Sequence, residues 1–519
     1  MTRNGELAGA ALGHLLALGV ENFVVCAGAR NAPLVTSLLA VTGSRRLTLW
    51  PYFDERTASF FALGLARACD RPVAVLTTSG TAVAELLPAT VEAYYTSVPL
   101  ILVTADRPKR FRGSGAPQAI EQANLFGPYT TESVDAENPD DLSWLVRWKR
   151  RGPLHLNVCF EEPAAEDQVT SIKTVVYPAA DPISHGYEGD QILEFVNQQD
   201  KLIVLLGAMP ESWIKPVERF LHDLGIPVWA EATSGLRESE KLLAQRIRGE
   251  SRLIDLEPGA VLRIGGVPSL RYWRDLESMK EVPVLSVAPH PFAGLARDSG
   301  LILCDPFPDI EGASQQGWVH HSTLSDDLLD EVLRKHPRSE PAMVEAISDL
   351  IPESAMIFLG NSLPIREWNL AASTRKKHPH CLANRGANGI DGEVASFFGL
   401  SYGFEESWGI FGDLTALYDL NAPGLLSQLP DAKRRIVVLN NGGGRIFSRL
   451  PSMARLSAEE KAVTENHHRQ RFEHWAEMWQ MNYVCWRAGH AAPKIEGKSV
   501  LIEVLLENRA TESFWADLK

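Results

Sequence analysis

The sequence has few cysteines, and none of them pair at a metal-binding spacing. It contains six, with no Cys-x-x-Cys motif among them: Cys26, Cys69, Cys159, Cys304, Cys381 and Cys485. This argues against a disulfide scaffold and against a zinc knuckle. Scattered free thiols are typical of the reducing cytoplasm, which is the location we predict.

Long apolar runs and an excess of basic residues are missing as well. The apolar run Ala8–Val20 is interrupted by His14 and follows Glu6, so it indicates an amphipathic helix rather than a signal peptide. No run approaches the roughly 20 apolar residues that span a bilayer. The net charge of −14 argues against a nucleic-acid partner, so we predict small-molecule substrates. Anionic substrates would have to be bound by locally placed arginines.

What the sequence does contain is a repeated alternation of short apolar runs and helical patterns along 519 residues. Apolar runs without polar alternation, separated by helices, indicate parallel sheets covered on both faces. We predict an α/β fold of three doubly wound parallel-sheet domains, at residues 1–175, 190–315 and 342–519. Two polar stretches, Glu161–Gly189 and Ser314–Pro341, are typical of linkers.

The predicted elements fall into two sets. The strands are Phe23–Cys26, Leu47–Phe53, Val73–Thr77, Leu100–Thr104, Leu154–Phe160, Leu202–Leu206, Val228–Ala230, Val261–Ile264, Val282–Val287, Leu301–Cys304, Ala355–Leu359, Trp408–Phe411, Arg435–Leu439 and Val500–Leu506. The helices are Pro33–Ala40, Thr57–Ala68, Val83–Tyr94, Trp213–Leu224 and Ala416–Leu429. Ligands of such sheets bind beyond the carboxyl ends of the strands, so unusual residues there matter most.

Two neighbouring strand ends of the third domain carry hard oxygen donors. Asp413 follows Gly412 at the end of one predicted strand, and Asn440-Asn441-Gly442-Gly443 follows the next. An aspartate, an asparagine, a backbone carbonyl, two phosphate oxygens and a water would complete an octahedral Mg²⁺ site. The helix that begins after Asp413 would direct its positive end at the phosphates. Taken singly, Gly-Asp is often a helix cap and Asn-Gly a turn.

Together, these two motifs resemble the thiamine diphosphate fingerprint, with an insertion of one residue. The insertion leaves open whether Asn440 or Asn441 is the ligand, and the pattern favours Asn441 with the carbonyl of Gly443. The sequence favours thiamine diphosphate over a dinucleotide as the ligand, because no strand-to-helix turn carries Gly-x-Gly-x-x-Gly.

Thiamine chemistry also needs a carboxylate beside the aminopyrimidine ring. Glu55 follows the predicted strand Leu47–Phe53 and fits that requirement, although a first-turn acid with Asp54 as its helix cap would look the same.

Longer motifs resemble one family, the 2-succinyl-5-enolpyruvyl-6-hydroxy-3-cyclohexene-1-carboxylate synthases of menaquinone biosynthesis. The matching stretches are Thr78–Ala84, Thr104–Pro108, Gly115–Ile120, Gly360–Leu363 with Arg366, Asn384–Gly392, Gly412–Asn421 and Ile446–Pro451. The resemblance implies a transferase that decarboxylates 2-oxoglutarate and adds the resulting carbanion to isochorismate. It also implies thiamine diphosphate, Mg²⁺ or Mn²⁺, and a homodimer or dimer of dimers in which two chains share each cofactor.

The resemblance assigns roles by position. Glu55 would activate the cofactor, Ile390 would hold it bent, and Asp413, Asn441 and Gly443 would hold the metal. The remaining cofactor contacts would be Ser79, Ser362, Leu363, Gly412, Leu414, Thr415, Ile446 and Phe447. The substrate contacts would be Arg30, Arg107, Gln118, Arg366 and Arg385, since both substrates carry two carboxylates and guanidinium groups bind carboxylates in pairs of hydrogen bonds.

Some positions depart from the family pattern. Ala29 lacks an expected hydroxyl, Pro117 replaces an asparagine, and Asn388 and Arg445 are atypical, while Arg271 lies where the family tends to have lysine. These changes affect the acceptor region more than cofactor activation. Two alternatives therefore remain, namely another thiamine-dependent 2-oxo acid decarboxylase or acetolactate-synthase-like carboligase, and a cofactor-binding subunit without catalysis.

Overall fold

The structure is a computed structural model, and it describes residues 2–43, 46–173, 175–177, 186–311, 327–450, 453 and 455–518. The chain forms two compact units. The first comprises Met1–Asp181, Gly386–Gly403 and Tyr418–Pro430, and the second comprises Pro182–Arg385, Phe404–Leu417 and Asp431–Lys519. Within the described ranges, no helix combines the length and the apolarity that crossing a membrane requires.

The first unit contains a six-stranded parallel sheet. Its strands are β1 (Asn22–Val25), β2 (Thr48–Pro51), β3 (Val73–Thr77), β4 (Leu100–Asp106), β5 (Glu132–Ala136) and β6 (Leu154–Cys159), in the order β2-β1-β3-β4-β6-β5. The central strands β3, β4 and β6 are buried at every residue, which explains their continuous apolar runs. The helices between them are α1 (Arg3–Ala17), α2 (Ala32–Thr42), α3 (Glu55–Cys69), α4 (Thr81–Ala84) and α5 (Leu87–Tyr95).

The second unit contains two parallel sheets, of which the first has five strands. These are β7 (Leu202–Leu206), β8 (Val228–Ala230), β9 (Ala260–Ile264), β10 (Val284–Ala288) and β11 (Gly300–Leu303), in the order β11-β10-β9-β7-β8. The accompanying helices are α6 (Glu188–Gln198), α7 (Glu211–Leu224), α8 (Glu250–Asp255) and α9 (Arg271–Asp275). Apolar clusters cover both faces of this sheet.

The other sheet of the second unit has six strands. They are β12 (Met356–Leu359), β13 (Cys381–Leu382), β14 (Glu406–Gly412), β15 (Lys433–Asn440), β16 (Asn482–Arg487) and β17 (Ser499–Leu505), in the order β13-β12-β14-β15-β17-β16. The helices of this part of the chain are α10 (Asp327–Lys335), α11 (Glu340–Leu350), α12 (Leu363–Ala371), α13 (Glu393–Leu400), α14 (Asp413–Tyr418), α15 (Ala458–Thr464), α16 (Glu473–Met478) and α17 (Asn508–Asp517). Short 3₁₀ helices occur at Lys109–Phe111, Gly127–Tyr129, Pro139–Arg147, Ala165–Asp167, Ala232–Ser234, Ala422–Gln428 and Phe447–Arg449.

Helix α13 follows the third-sheet strands β12 and β13 in sequence but belongs to the first unit, where it packs against α3. All eight of its residues are buried. Two glycines let the helices approach closely: a Cβ on Gly64 would lie 2.2 Å from the Ser396 carbonyl oxygen, and one on Gly399 would lie 2.3 Å from that of Phe61. The third predicted domain therefore contributes part of its chain to the first unit.

The three parallel sheets confirm the predicted fold class. The predicted strands all have counterparts, but the edge strands β5, β13 and β16 were not predicted. Edge strands have one unpaired side and need no continuous apolar run, so β5 and β16 mix charged and apolar residues and β13 has only two residues.

Two predicted helices differ from the structure. The predicted helix Ala416–Leu429 ends at Tyr418 and is followed by the 3₁₀ helix Ala422–Gln428. Pro423 is poorly suited to an α-helix interior, which accounts for the break. The predicted helix Val83–Tyr94 is divided into α4 and α5 just before Pro88, for the same reason.

The predicted linkers are only partly correct. Helix α6 begins at Glu188, inside the predicted linker Glu161–Gly189. Helix α10 lies within the predicted linker Ser314–Pro341, and helix α11 begins in it. Helix α10 forms there because Leu329, Val332 and Leu333 are buried in a small apolar cluster with Phe514. Residues 174, 178–185 and 314–326 of these linkers lie outside the described residues.

Candidate active site

Glu55 is the first residue of α3, four residues beyond the end of β2. Asp54 caps the helix by accepting from the Thr57 backbone N–H at 3.2 Å. The Glu55 side chain is half-buried, and burial raises its pKa, with the charges of Asp54 and Glu85 adding to the shift. A carboxyl with a raised pKa is suited to exchanging a proton with a ring nitrogen.

The turn that carries Glu55 is held by the segment Tyr418–Asn421. The Arg56 guanidinium donates to the Tyr418 carbonyl at 2.7 Å, and the Asn421 amide donates to Asp54 at 2.9 Å. The Tyr52 hydroxyl donates to the Asn421 carbonyl. This turn is therefore fixed by residues more than 360 positions away.

The predicted contacts Ser79, Arg107 and Gln118 lie in loops that follow β3 and β4. Ser79 is buried, and the next residue, Gly80, lies against Gln118, whose Cα would be 3.5 Å from a Cβ at Gly80. Arg107 donates to the Pro117 carbonyl at 2.9 Å. The atypical Pro117 thus anchors the loop through its carbonyl oxygen, and exposed Gln118 follows it with a φ of +56°.

Arg30 differs from the other predicted substrate contacts, because its guanidinium is already engaged. It is 7% exposed and donates to the carbonyls of Phe160 and Glu161 at 3.2 and 2.9 Å. It also forms a 3.0 Å ion pair with the exposed carboxylate of Glu162. A substrate carboxylate would have to displace Glu162 to reach it.

In the second unit, Asp413 lies at the start of α14, directly after β14. One carboxylate oxygen accepts from the Leu414 N–H at 2.7 Å, and the other accepts from the N–H groups of Gly442 and Gly443 at 2.7 and 3.0 Å. Burial raises its pKa, while the nearby His468 and these backbone donors oppose the shift. Asp413 therefore connects the ends of β14 and β15, which are neighbouring strands as the sequence predicts.

The two asparagines at the end of β15 have different environments. The Asn440 amide nitrogen donates to the Glu503 carboxylate at 2.7 Å and to the Gln470 carbonyl at 3.0 Å. The Asn441 amide nitrogen lies 3.2 Å from both carboxylate oxygens of Glu340. Among the residues that the structure describes, the buried Asn441 Oδ1 has no hydrogen-bond partner. A cation would satisfy this oxygen.

The glycine run after Asn441 brings the backbone close to the Asp413 carboxylate. Gly442 and Gly443 have φ values of +81° and +142°, and a Cβ at Gly443 would lie 2.6 Å from the Glu465 carbonyl. Neither position tolerates a side chain without strain. The atypical Arg445 forms a 2.7 Å ion pair with the buried Glu465 and so holds this loop.

The other predicted cofactor contacts surround these strand ends. Thr415 is buried, Phe447 is 37% exposed, and Gly412, Leu414 and Ile446 are half-buried. Ile390 lies in the first unit, in the segment that precedes α13, and is half-buried. No three side chains of His, Cys, Asp or Glu converge as a metal centre anywhere in the described ranges.

Arg366 and Arg385 form a cationic cluster at the end of β12. Arg366 donates to the Ser362 carbonyl at 2.6 Å, and Arg385 donates to Asn361 Oδ1 at 2.8 Å. Burial lowers the pKa of Arg366, and the positive charge of Arg385 lowers it further. The buried Arg385 Nε has no hydrogen-bond partner among the described residues. Two adjacent guanidinium groups with an unused donor are an arrangement that a carboxylate would stabilise.

Some residues of this region were not predicted from the sequence. Arg274, on the short helix α9, also contributes to lowering the pKa of Arg366, so it lies near the cluster. Its position shortly after Gly265-Gly266 was the only sequence signal. Glu340 was missed because it precedes the third sheet by many residues and belongs to no motif. Arg271 is exposed, and its guanidinium lies 3.5 Å from the Asp275 carboxylate, so in this structure it forms a surface ion pair.

Comparisons with known proteins point to one family. Residues 6–125 match the N-terminal TPP binding domain of thiamine pyrophosphate enzymes. A 2-succinyl-5-enolpyruvyl-6-hydroxy-3-cyclohexene-1-carboxylate synthase of Bdellovibrio bacteriovorus is 40% identical over 99% of this chain and 98% of its own length. A synthase of the same name from Akkermansia muciniphila is also 40% identical, over 95% of both chains.

A solved structure supports the fold. An X-ray structure of a protein assigned as a thiamin diphosphate-dependent enzyme from Mycobacterium smegmatis aligns with a TM-score of 0.68, covering 98% of this chain and 99% of that one at 15% identity. Since the sequence relatives cover nearly the whole chain at identities well above 30%, this protein belongs to the 2-succinyl-5-enolpyruvyl-6-hydroxy-3-cyclohexene-1-carboxylate synthase family of thiamine diphosphate enzymes.

Proposed function

We propose that the protein decarboxylates 2-oxoglutarate and adds the resulting succinyl carbanion to isochorismate, giving 2-succinyl-5-enolpyruvyl-6-hydroxy-3-cyclohexene-1-carboxylate and CO₂ in menaquinone biosynthesis. The observation that carries the proposal is the 40% identity to a synthase of that name over almost the full length of both chains. Thiamine diphosphate, when bound, supplies the nucleophilic carbon and the electron sink for this chemistry.

Glu55 is proposed to move the proton that activates the cofactor. Its raised pKa supports this role, because the carboxyl must accept and return a proton at near-neutral pH. The hydrogen bonds of Asp54 and Arg56 to Asn421 and Tyr418 keep the turn in one conformation. A fixed carboxylate loses less entropy in the proton transfer than a mobile one.

We also propose that a Mg²⁺ or Mn²⁺ ion is held by Asp413, Asn441 Oδ1 and the Gly443 carbonyl. The unpaired, buried Asn441 Oδ1 supports it, as does the hard oxygen character of all three groups. The N-terminus of α14 would contribute its partial positive charge to the diphosphate.

Substrate carboxylates are proposed to bind at Arg366 and Arg385, with Arg107 and Gln118 as further contacts. Both proposed substrates are dianionic, while the protein as a whole carries a charge of −14, so attraction must be local. The neighbouring guanidinium groups and the unused Arg385 Nε support this assignment. They argue against the alternative carboligases that use small neutral acceptors, and retained Glu55 argues against a non-catalytic subunit.

We further propose a homodimer in which two chains share each cofactor. Three large side chains near Glu55 are exposed: Phe53 at 65%, Tyr418 at 56% and Leu420 at 40%. Such a cluster beside a proposed site would be covered by a second copy of the chain. The domain boundaries 1–175, 190–315 and 342–519, and a cytoplasmic location, also remain proposals.

The test is a defined reaction. Purified protein with thiamine diphosphate, Mg²⁺, 2-oxoglutarate and isochorismate should release CO₂ and form the succinyl adduct, detected by mass spectrometry. Replacing 2-oxoglutarate by pyruvate controls for a different donor, and a sample without isochorismate controls for simple decarboxylation. No consumption of 2-oxoglutarate under any of these conditions would reject the proposal.

A further inference from the structure

Two buried carboxylates hold the segment that carries Ile390. Glu92 lies on α5 and is 4% exposed, while Asp419 follows α14 and is 1% exposed. Each accepts hydrogen bonds from two backbone N–H groups of the segment Gly386–Val394, one carboxylate at each end. Ile390 lies between these two anchors.

The first anchor is the Glu92 carboxylate. Its oxygens accept from the N–H groups of Gly386 and Ala387 at 2.8 and 2.7 Å. The half-buried Arg67 is close enough for the charge of Glu92 to oppose the lowering of its pKa by burial, so Arg67 acts as a counter-ion to Glu92. A nearby counter-ion and two backbone hydrogen bonds offset the free-energy cost of burying the Glu92 charge.

The second anchor is the Asp419 carboxylate. Its two oxygens accept from the N–H groups of Gly392 and Val394, both at 2.9 Å. The guanidinium of Arg56 lies 3.5 Å from the same carboxylate. Asp419 therefore connects the end of the Ile390 segment to the residue that follows Glu55.

Between the anchors the backbone has no regular secondary structure, and Asn388 has a φ of +59°. At the far end, Gly392 is tightly packed, because a Cβ there would lie 1.9 Å from the Phe60 ring. The position of Ile390 is therefore set by its attachment points rather than by a helix or a strand.

We propose that Glu92 and Asp419 are positioning residues that together fix the Ile390 segment, with Asp419 also fixing it relative to the turn that carries Glu55. The inference rests on the proposed roles of Ile390 and Glu55 in cofactor binding. It adds two residues on which the cofactor geometry depends but which touch neither cofactor nor substrate.

The first test uses the cofactor-free protein and does not depend on activity. In Asp419→Asn, one acceptor oxygen is replaced by an amide nitrogen, so backbone exchange with deuterium at Gly392 or Val394 should accelerate at least about tenfold. In Glu92→Gln the same should occur at Gly386 or Ala387. Asp431→Asn, at an exposed ion pair with Lys498, is the matched control and should change neither region. Unchanged exchange in both anchor variants would overturn the proposal.

The second test separates positioning from a general loss of structure. With thiamine diphosphate and Mg²⁺ added, the rate of hydrogen exchange at the cofactor C2 atom, followed by NMR, should fall at least about tenfold in each anchor variant, in line with the typical contribution of a positioned proton-transfer group. The thermal unfolding transition should stay cooperative, with a midpoint below that of Asp431→Asn because each anchor variant leaves a buried N–H group without its acceptor.

The outcomes are distinguishable from failure of the proposed function. Normal C2 exchange in variants with loosened backbone would show that the anchors do not position the cofactor, and would overturn the inference alone. A wild-type protein that binds the cofactor but does not turn over 2-oxoglutarate would reject the proposed function and leave the backbone result intact. Because two separate variants are used, a folding failure of one leaves the other decisive.

Discussion

The side-chain amide nitrogen of Asn441 lies 3.2 Å from both carboxylate oxygens of Glu340. This contact fixes which end of the amide faces Glu340, so the Oδ1 atom is turned away from it, with no partner among the described residues. Glu340 is buried, and burial together with the neighbouring Glu367 raises its pKa well above the ordinary value. Arg449 contacts both carboxylates, at 3.8 Å from Glu340 and 2.8 Å from Glu367.

The orientation of Asn441 makes a prediction about metal affinity. Glu340→Leu keeps the size of the side chain but removes the acceptor, so Mn²⁺ should bind about 10–100-fold more weakly in the presence of thiamine diphosphate. Glu340→Gln keeps an acceptor oxygen and should retain most of the affinity. Electron paramagnetic resonance of free Mn²⁺ measures both. Equal affinities for the Leu and Gln variants would contradict the role of Glu340.

Glu55→Gln should abolish turnover of 2-oxoglutarate, with a loss of at least about 10²–10⁴-fold, because the amide cannot exchange the proton. In the wild type, activity should rise with pH through the pKa of Glu55, which lies above the ordinary glutamate value. Glu85 contributes to that elevation, so Glu85→Gln should move the acid limb to lower pH. A pH–rate profile checks both statements, and an unmoved acid limb in Glu85→Gln would argue against Glu55 as its source.

The guanidinium cluster makes a prediction about substrate recognition. Arg385→Lys keeps the charge but loses the planar fork, so kcat/KM for 2-oxoglutarate or isochorismate should fall about 10–100-fold. Arg252→Lys, at a partly exposed position with an ion contact to Asp255, is the control and should behave like the wild type. Steady-state kinetics with each substrate varied separately measures the effect. Unaltered kinetics for both substrates in Arg385→Lys would remove this residue from the site.

His155 makes a prediction about acid stability. It is fully buried, its Nε2 lies 2.8 Å from the Thr104 hydroxyl, and burial lowers its pKa to about 3. Since the folded pKa lies below the unfolded one, its contribution to stability is present above about pH 6.5 and is lost as the pH falls towards 3. Over that window it should lower the unfolding free energy by about 1.4 kcal/mol per pH unit.

His155→Gln isolates this contribution from that of other groups. His290, whose pKa burial lowers to about 4, acts in the same direction, whereas Asp419, whose pKa burial raises to about 6, acts in the opposite one. The free energy of unfolding, measured in urea, should therefore fall more steeply between pH 6.5 and pH 4 for the wild type than for the variant. Parallel pH profiles would show that His155 does not titrate on unfolding.

Much of the fold was predictable because its central strands are short apolar runs. The central strands Val73–Thr77 and Leu202–Leu206 begin and end where the sequence predicts, and so does the edge strand Val228–Ala230. The edge strands β5, β13 and β16 were missed because a strand paired on one side alone needs no continuous apolar run. The helix predicted through Ala416–Leu429 was wrong because apolar spacing continued across Pro423, which breaks it.

For the candidate site, the sequence predicts the chemical types and their placement at strand ends, and the family assignment is confirmed. The individual roles of Glu55, Asp413 and the arginines stay predictions. Sequence gave no sign that Arg30 is engaged by Glu162 and two carbonyl groups, since those partners lie some 130 residues away.

By itself, then, the sequence determined the parallel-sheet architecture, the family and the strand ends where catalysis is expected. These depend on local apolar runs and on short motifs. Only the tertiary structure decided that the buried Asn441 Oδ1 has no hydrogen-bond partner among the described residues, and that Glu92 and Asp419 accept hydrogen bonds from the Ile390 segment. Hydrogen-bond partners are set by three-dimensional proximity, and the N–H groups that Glu92 accepts from lie about 294 residues along the chain.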